Sequence, residues 1–133
     1  MVKVGKYLFL TAAGFNFLVG LAMLFGRSIL DQLVPTNPVI GTNLLVTDFA
    51  ACLSIAFGLV FIVISMDPVR YRPFIVVSII SKLMAVAVAA FFLIVHGAEN
   101  WQAPSLAVSE FFFMCSFWRY YSTTRIFVAA DRV

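Results

Sequence analysis

The chain has 133 residues, of which 63% are hydrophobic, 16% aromatic and only 11% charged, against roughly 45–50% apolar and about 25% charged in a soluble domain. That composition excludes a water-soluble fold, and since a bilayer-spanning helix takes about 20 apolar residues, four spans account for most of the length. A net charge of +3 scattered along the chain excludes a nucleic-acid surface, and no room is left for a separate soluble catalytic domain.

The first apolar run covers about 7–25 and contains Gly14, Asn16 and Gly20. No A-x-A-like site precedes a polar mature region, so the run is expected to stay in the protein instead of being cleaved as a signal peptide. A long break over 26–43 follows, with Pro35, Asn37, Pro38 and Gly41. Within it, Ser28 and Asp31 give a helix-start signal, and Ile29, Leu30, Leu33 and Val34 recur at a helical period. That pattern predicts a short interfacial segment over about 28–34, closed by Pro35. Such a segment either covers exposed backbone between two spans or forms a lid over an outward-facing cavity.

The second run, about 44–66, carries Ala50, Ser54 and Gly58 at intervals of four, a small-residue stripe of the kind that lets membrane helices approach closely. The compact turn Asp67-Pro68-Val69-Arg70-Tyr71-Arg72-Pro73 separates it from the third run, about 74–95, which ends at His96-Gly97. Gly20 in the first run and Ala85 and Ala89 in the third are further packing positions. The fourth run, about 104–121, holds Phe111, Phe112, Phe113, Phe117, Trp118, Tyr120 and Tyr121 on all sides of one helix. Lipid-facing or partner-facing surface accounts for these rings, with contact to a hydrophobic pigment or quinone as the other reading. The pattern as a whole predicts an all-α, integral membrane four-helix bundle of antiparallel spans forming a single domain over 1–133.

Positive residues set the expected orientation, because they are retained near helix ends on the cytoplasmic side. Lys3, Lys6, Arg70, Arg72, Arg119, Arg125 and Arg132 flank one side, and Arg27 alone flanks the other. Both termini are therefore expected to be cytoplasmic, in a multi-pass protein of bacterial inner-membrane type. Trp101 and Trp118 stand about 26 Å apart along a helix, close to the spacing of the two aromatic belts, and with Arg119 they form the expected interface anchors.

Chemistry, where the sequence offers any, lies in the ionisable residues inside the spans. Asp48, Lys82 and Glu110 each interrupt an apolar run, at a cost of at least ~2.5–3.5 kcal/mol per charge on insertion scales. At 1.5 Å per residue, Asp48 falls ~7 Å, Glu110 ~12 Å and Lys82 ~17 Å below the outer surface, and a lysine stem can climb toward that side. The three are expected to meet in the outer half of one bundle, with Asn16 as a neutral neighbour. A structural ion-pair cluster pinning the helices is one reading. The other is a proton- or ion-coupled site, since two carboxylates and one ammonium leave a net charge of −1.

His96 is the single histidine, which excludes a bis-histidine haem or a multi-histidine metal site within one chain, and no metal site is expected. Cys52 and Cys115 lie in different spans without C-x-x-C spacing and are read as inert packing residues. No G-x-S-x-G, H-E-x-x-H or glycine-rich phosphate loop occurs, so neither an enzyme nor a cofactor is expected. Small multidrug transporters carry a carboxylate in their first span, where this chain has Asn16. The N-in, C-in four-span layout resembles that of DoxX-like small membrane proteins without a motif specific to them.

The sequence therefore predicts a non-enzymatic accessory subunit or scaffold that embeds in the bilayer and assembles with itself or with a larger membrane complex. The alternative is a small proton- or ion-coupled transporter or channel working through Asp48, Lys82 and Glu110.

Overall fold

A computed structural model describes residues 2–26, 42–96 and 102–130, and every regular element in them is an α-helix. The elements are α1 (Val2–Phe25), α2 (Thr42–Met66), α3 (Arg72–His96) and α4 (Gln102–Ala130). The segment expected over 28–34 and the anchor Trp101 lie outside the described residues.

Among the described residues, three helices are long and apolar enough to cross a membrane, over Lys3–Phe25, Leu45–Met66 and Arg72–Val95. They suggest a membrane protein. Helix α4 is longer than any of them, yet Ser105, Ser109, Glu110, Ser116 and Arg119 interrupt its apolar run and it is not among the three. It also continues past the expected end near 121 to Ala130. The hydroxyls of this polar stretch are satisfied within the helix: Ser122 Oγ donates to the Trp118 carbonyl, Thr123 Oγ1 to Arg119 and Thr124 Oγ1 to Tyr120, each at 2.7–2.9 Å. Such bonds return a side-chain donor to the helix's own backbone, so no water is needed to satisfy it.

The chain forms two compact units, one from Lys6–Met66 and one from Asp67 onward together with the first residues of α1. In the first unit α1 packs on α2, and residue numbers fall on one helix as they rise on the other. Gly20 lies beside Ala51 and Ile55, Asn16 beside Ser54, Gly58 beside Ala13 and Phe17, and Phe9 beside Phe61. The seam is lined by small residues at one end and by rings at the other, where Phe9, Phe57 and Phe61 stack with centroids 6.3–6.4 Å apart. Ser54 and Gly58 thus face α1 within the chain.

The second unit begins with a turn built by Asp67. Its Oδ1 accepts from the Arg70 N–H at 3.0 Å and its carbonyl accepts from the Tyr71 N–H at 3.1 Å, the side-chain capping that aspartate provides at a chain reversal. Pro73 then occupies the first turn of α3, where its missing N–H costs nothing. Helix α3 packs on α4, with Ile75, Phe113 and Phe117 buried.

The aromatic-rich stretch of α4 divides cleanly: Phe113, Phe117 and Tyr120 are buried, whereas Phe111, Phe112 and Trp118 face outward. Cys52 and Cys115, read as inert packing residues, are free and exposed. Each sits on the outward side of its helix, where apolar side chains meet the surroundings.

Two glycines of α1 separate packing from propensity. A Cβ at Gly20 would lie 2.6 Å from Ile55 Cγ1 and 2.8 Å from the Ala51 carbonyl oxygen, whereas one at Gly14 would meet nothing within 4 Å. Gly20→Val is expected to destabilise the α1–α2 pair by about 1–3 kcal/mol through overpacking against backbone. Gly14→Ala is expected to be neutral or stabilising by up to about 1 kcal/mol. Thermal unfolding in detergent followed by circular dichroism checks the pair, and equal losses for both would show that Gly20 is not at a close contact.

Candidate functional site

The buried charges of α3 and α4 are the chemically distinctive feature of the fold. Lys82 is 5% and Glu110 6% exposed, so neither can rely on water to solvate its charge. Lys82 Nζ donates to Glu110 Oε1 at 3.0 Å and lies 2.7 Å from Oε2, the second being a charge contact, not an aligned hydrogen bond. One ammonium therefore engages both carboxylate oxygens. The face of Phe113 lies 5.8 Å from Nζ and adds a cation–π contact.

Local sequence places both groups. Helical spacing puts Ser78 one turn before Lys82, and its small buried side chain leaves space beside the lysine stem. The Ser78 hydroxyl bonds back to the Phe74 carbonyl at 2.8 Å. Ala89 is buried and Ala85 half-buried farther along α3. On α4, Glu110 lies three residues before Phe113, so acid and ring share one face.

The other residues singled out from sequence belong to the α1–α2 unit. Asn16 is buried there, with Nδ2 donating to the Ala12 carbonyl at 2.9 Å, while Ser54 Oγ donates to the Asn16 carbonyl at 2.9 Å and lies 3.5 Å from Asn16 Oδ1. Its partner is thus Ser54 of the small-residue stripe. Asp48 and Ala50 are half-buried on α2. Trp118 and Arg119 are exposed on α4. Among the described residues no group of three or more histidine, cysteine, aspartate or glutamate side chains is arranged to hold a metal ion.

A second polar constellation went unnoticed in the sequence. Arg72, the first residue of α3, donates from Nη2 to the Tyr121 carbonyl at 2.9 Å, and its guanidinium carbon lies 4.4 Å from the centroid of the Tyr121 ring. Its Nε is buried without a hydrogen-bond partner. Arg72, Pro73, Val76 and Tyr121 line a shallow, widely open groove of about 500 Å³. The two partners are 49 residues apart in sequence, so local periodicity holds no sign of the contact. The Lys82–Glu110 pairing does hold one: stepping ten residues back on α3 and about as many forward on α4 brings Arg72 opposite Tyr120 and Tyr121.

Comparison with protein-family models, curated proteins and solved structures returned no match.

The pair makes a direct prediction. Lys82→Met alone leaves Glu110 without its countercharge in a low-dielectric interior and is expected to cost about 3–5 kcal/mol, or to make the acid bind a proton. Lys82→Met combined with Glu110→Gln is expected to recover much of that loss. A double-mutant cycle on thermal stability in detergent measures the coupling, and additive single effects would show that the side chains do not interact.

Proposed function

We propose that this chain is a small multi-pass membrane protein whose four helices form an antiparallel bundle with both termini cytoplasmic, and that it serves as a non-enzymatic interaction subunit. Assembly is with further copies of itself or with a larger membrane complex. The observation that carries the reading is the dryness of the Lys82–Glu110 pair: one ammonium contacts both carboxylate oxygens, and both residues are nearly fully buried. A pair in that state holds two helices in register. A proton- or ion-coupled site would instead need one of these groups open to water.

The outward surface supports the same reading. Ser54 and Gly58 are occupied by α1, so we assign assembly to the exposed aromatic side chains of α4, with Phe111 and Trp118 on one side and Phe112 about a quarter turn away. Aromatic side chains bring large contact area at small entropic cost and dominate interface energetics. Mass measurement in several mild detergents and in native nanodiscs is expected to give a multiple of the chain mass or a stoichiometric partner, and to fall toward the monomer in Phe111→Ala/Phe112→Ala. A strictly monomeric wild type, or pH- or ion-gradient-driven flux in proteoliposomes that Glu110→Gln abolishes, would overturn the reading.

Orientation has its own test. In a background where Cys52 and Cys115 are replaced by serine, Asn37→Cys is expected to label from outside the cell and Tyr71→Cys only from the cytoplasm. The reverse pattern would invert the topology.

A further inference from the structure

We propose that the groove beside Arg72 is a headgroup site for an anionic phospholipid, an inference that rests on α3 and α4 being membrane-embedded. Arg72 carries a charge that no ion pair among the described residues compensates. A guanidinium has five N–H donors and is always ionised. In Arg72 one donor goes to the Tyr121 carbonyl and Nε has no partner. Among the described residues, no carboxylate forms an ion pair with it. The nearby acid of the turn, Asp67, has its Oδ1 occupied by the Arg70 N–H. Lys82 and Arg72 thus stand differently: the first is paired with Glu110 inside the protein, whereas the second is held at the edge of a groove with no ion pair among the described residues.

The guanidinium is also held in place. Its carbonyl contact and its stacking on Tyr121 fix the plane of the fork before any ligand arrives, so little rotamer freedom remains to be lost on binding. An oriented guanidinium matches the geometry of a phosphate, which it can contact through two parallel N–H groups. Pro73, Val76 and the Tyr121 ring supply the remaining wall. That mixture of one fixed cation and apolar wall suits a phosphate attached to a hydrocarbon better than a free ion.

The surface beyond the groove extends in the direction an acyl chain would take. Val76, Ile80 and Leu83 are exposed and, at spacings of four and three, share one stripe of α3. With Ala87, also exposed, the stripe runs about 17 Å, close to the half-thickness of a hydrocarbon core of roughly 30 Å. A phosphate on Arg72 therefore places its chain along α3 within one leaflet. Arg70 and Arg119 are exposed near the same end of the helix pair and raise the local positive potential without lining the groove. Basic pockets between helices at the cytoplasmic surface recognise acidic headgroups by this combination of charge and apolar wall.

The test uses the full chain purified in a neutral detergent and titrated separately with dioleoylphosphatidylglycerol, dioleoylphosphatidylcholine and inorganic phosphate. Native mass spectrometry reads retained lipid, and the thermal midpoint reads the accompanying stabilisation. Retention of the phosphatidylglycerol is expected to exceed that of the phosphatidylcholine by about fivefold or more, as one arginine near the surface supplies. Inorganic phosphate is expected neither to stabilise the protein nor to displace the lipid.

Arg72→Gln is expected to abolish the preference, while Arg70→Gln, which removes the same charge outside the groove, retains it. Val76→Trp fills the groove while staying apolar, so it tests the same site should Arg72→Gln fail to fold. It is expected to lose the preference with its lipid-free midpoint unchanged. Equal retention of both lipids by the wild type, displacement by inorganic phosphate, or equal losses in Arg72→Gln and Arg70→Gln would overturn the proposal. Release of the chain from membranes by alkaline carbonate would overturn the membrane reading itself, a result separable from a chain that stays inserted but shows no lipid preference.

Discussion

A charge removed from water must find its opposite or disappear, and the Lys82–Glu110 contact is where this protein meets that constraint. Neither side chain is solvated, and their contact sets which residue of α3 faces which residue of α4. The aromatic packing follows from that register, with Phe113 beside the ammonium and Phe117 filling the next turn of the interior. Such a pair contributes little net stability compared with an apolar substitute of equal volume. What it supplies is selection: any other rotation or slip of the two helices strands a buried ion.

The α1–α2 unit reaches its register by a different physical route. It has a seam of small residues in which backbones approach until Gly20 leaves no room for another carbon and Gly58 only a tight fit. In lipid, where apolar burial offers no gain over contact with acyl chains, close backbone packing and occasional interhelical hydrogen bonds are the main attractions available. The Ser54 hydroxyl reaching the Asn16 carbonyl is such a bond. Serines and threonines elsewhere mostly turn inward on their own helices, as Ser78 and Thr124 do. One unit is thus fixed by shape and the other by charge.

Much of this was legible in the sequence, and what escaped did so for identifiable reasons. The apolar runs located α1, α2 and α3 because hydrocarbon solvation imposes a minimum length that sequence displays directly. Apolar runs mark spans and not helix ends, so the length of α4 could not be read from them. The fourth apolar run ends near 121, yet the hydroxyls of Ser122, Thr123 and Thr124 bond to preceding carbonyls and the helix continues. Lys82 and Glu110 could be singled out because an unpaired ion in an apolar run is so costly. Asn16 could not be given its partner, because a neutral amide accepts many neighbours at similar energy. The Arg72 groove escaped because arginine at a helix end has an obvious solvated role, and only the register of α3 against α4 brings Tyr121 beneath it.

The same ion pair has a consequence in time. A ribosome delivers α3 before α4, so Lys82 enters its surroundings before Glu110 has been synthesised. Helix α3 is apolar enough to carry a lone lysine, whose flexible stem can lift the ammonium several ångströms toward the interface while it waits. Helix α4, diluted by serines and by its acid, is the weaker candidate to leave the translocon alone. In a membrane, an ammonium already in position would lower the cost of admitting the carboxylate, so the earlier helix would assist the later one. Biogenesis of the hairpin is then ordered by charge as well as by chain direction.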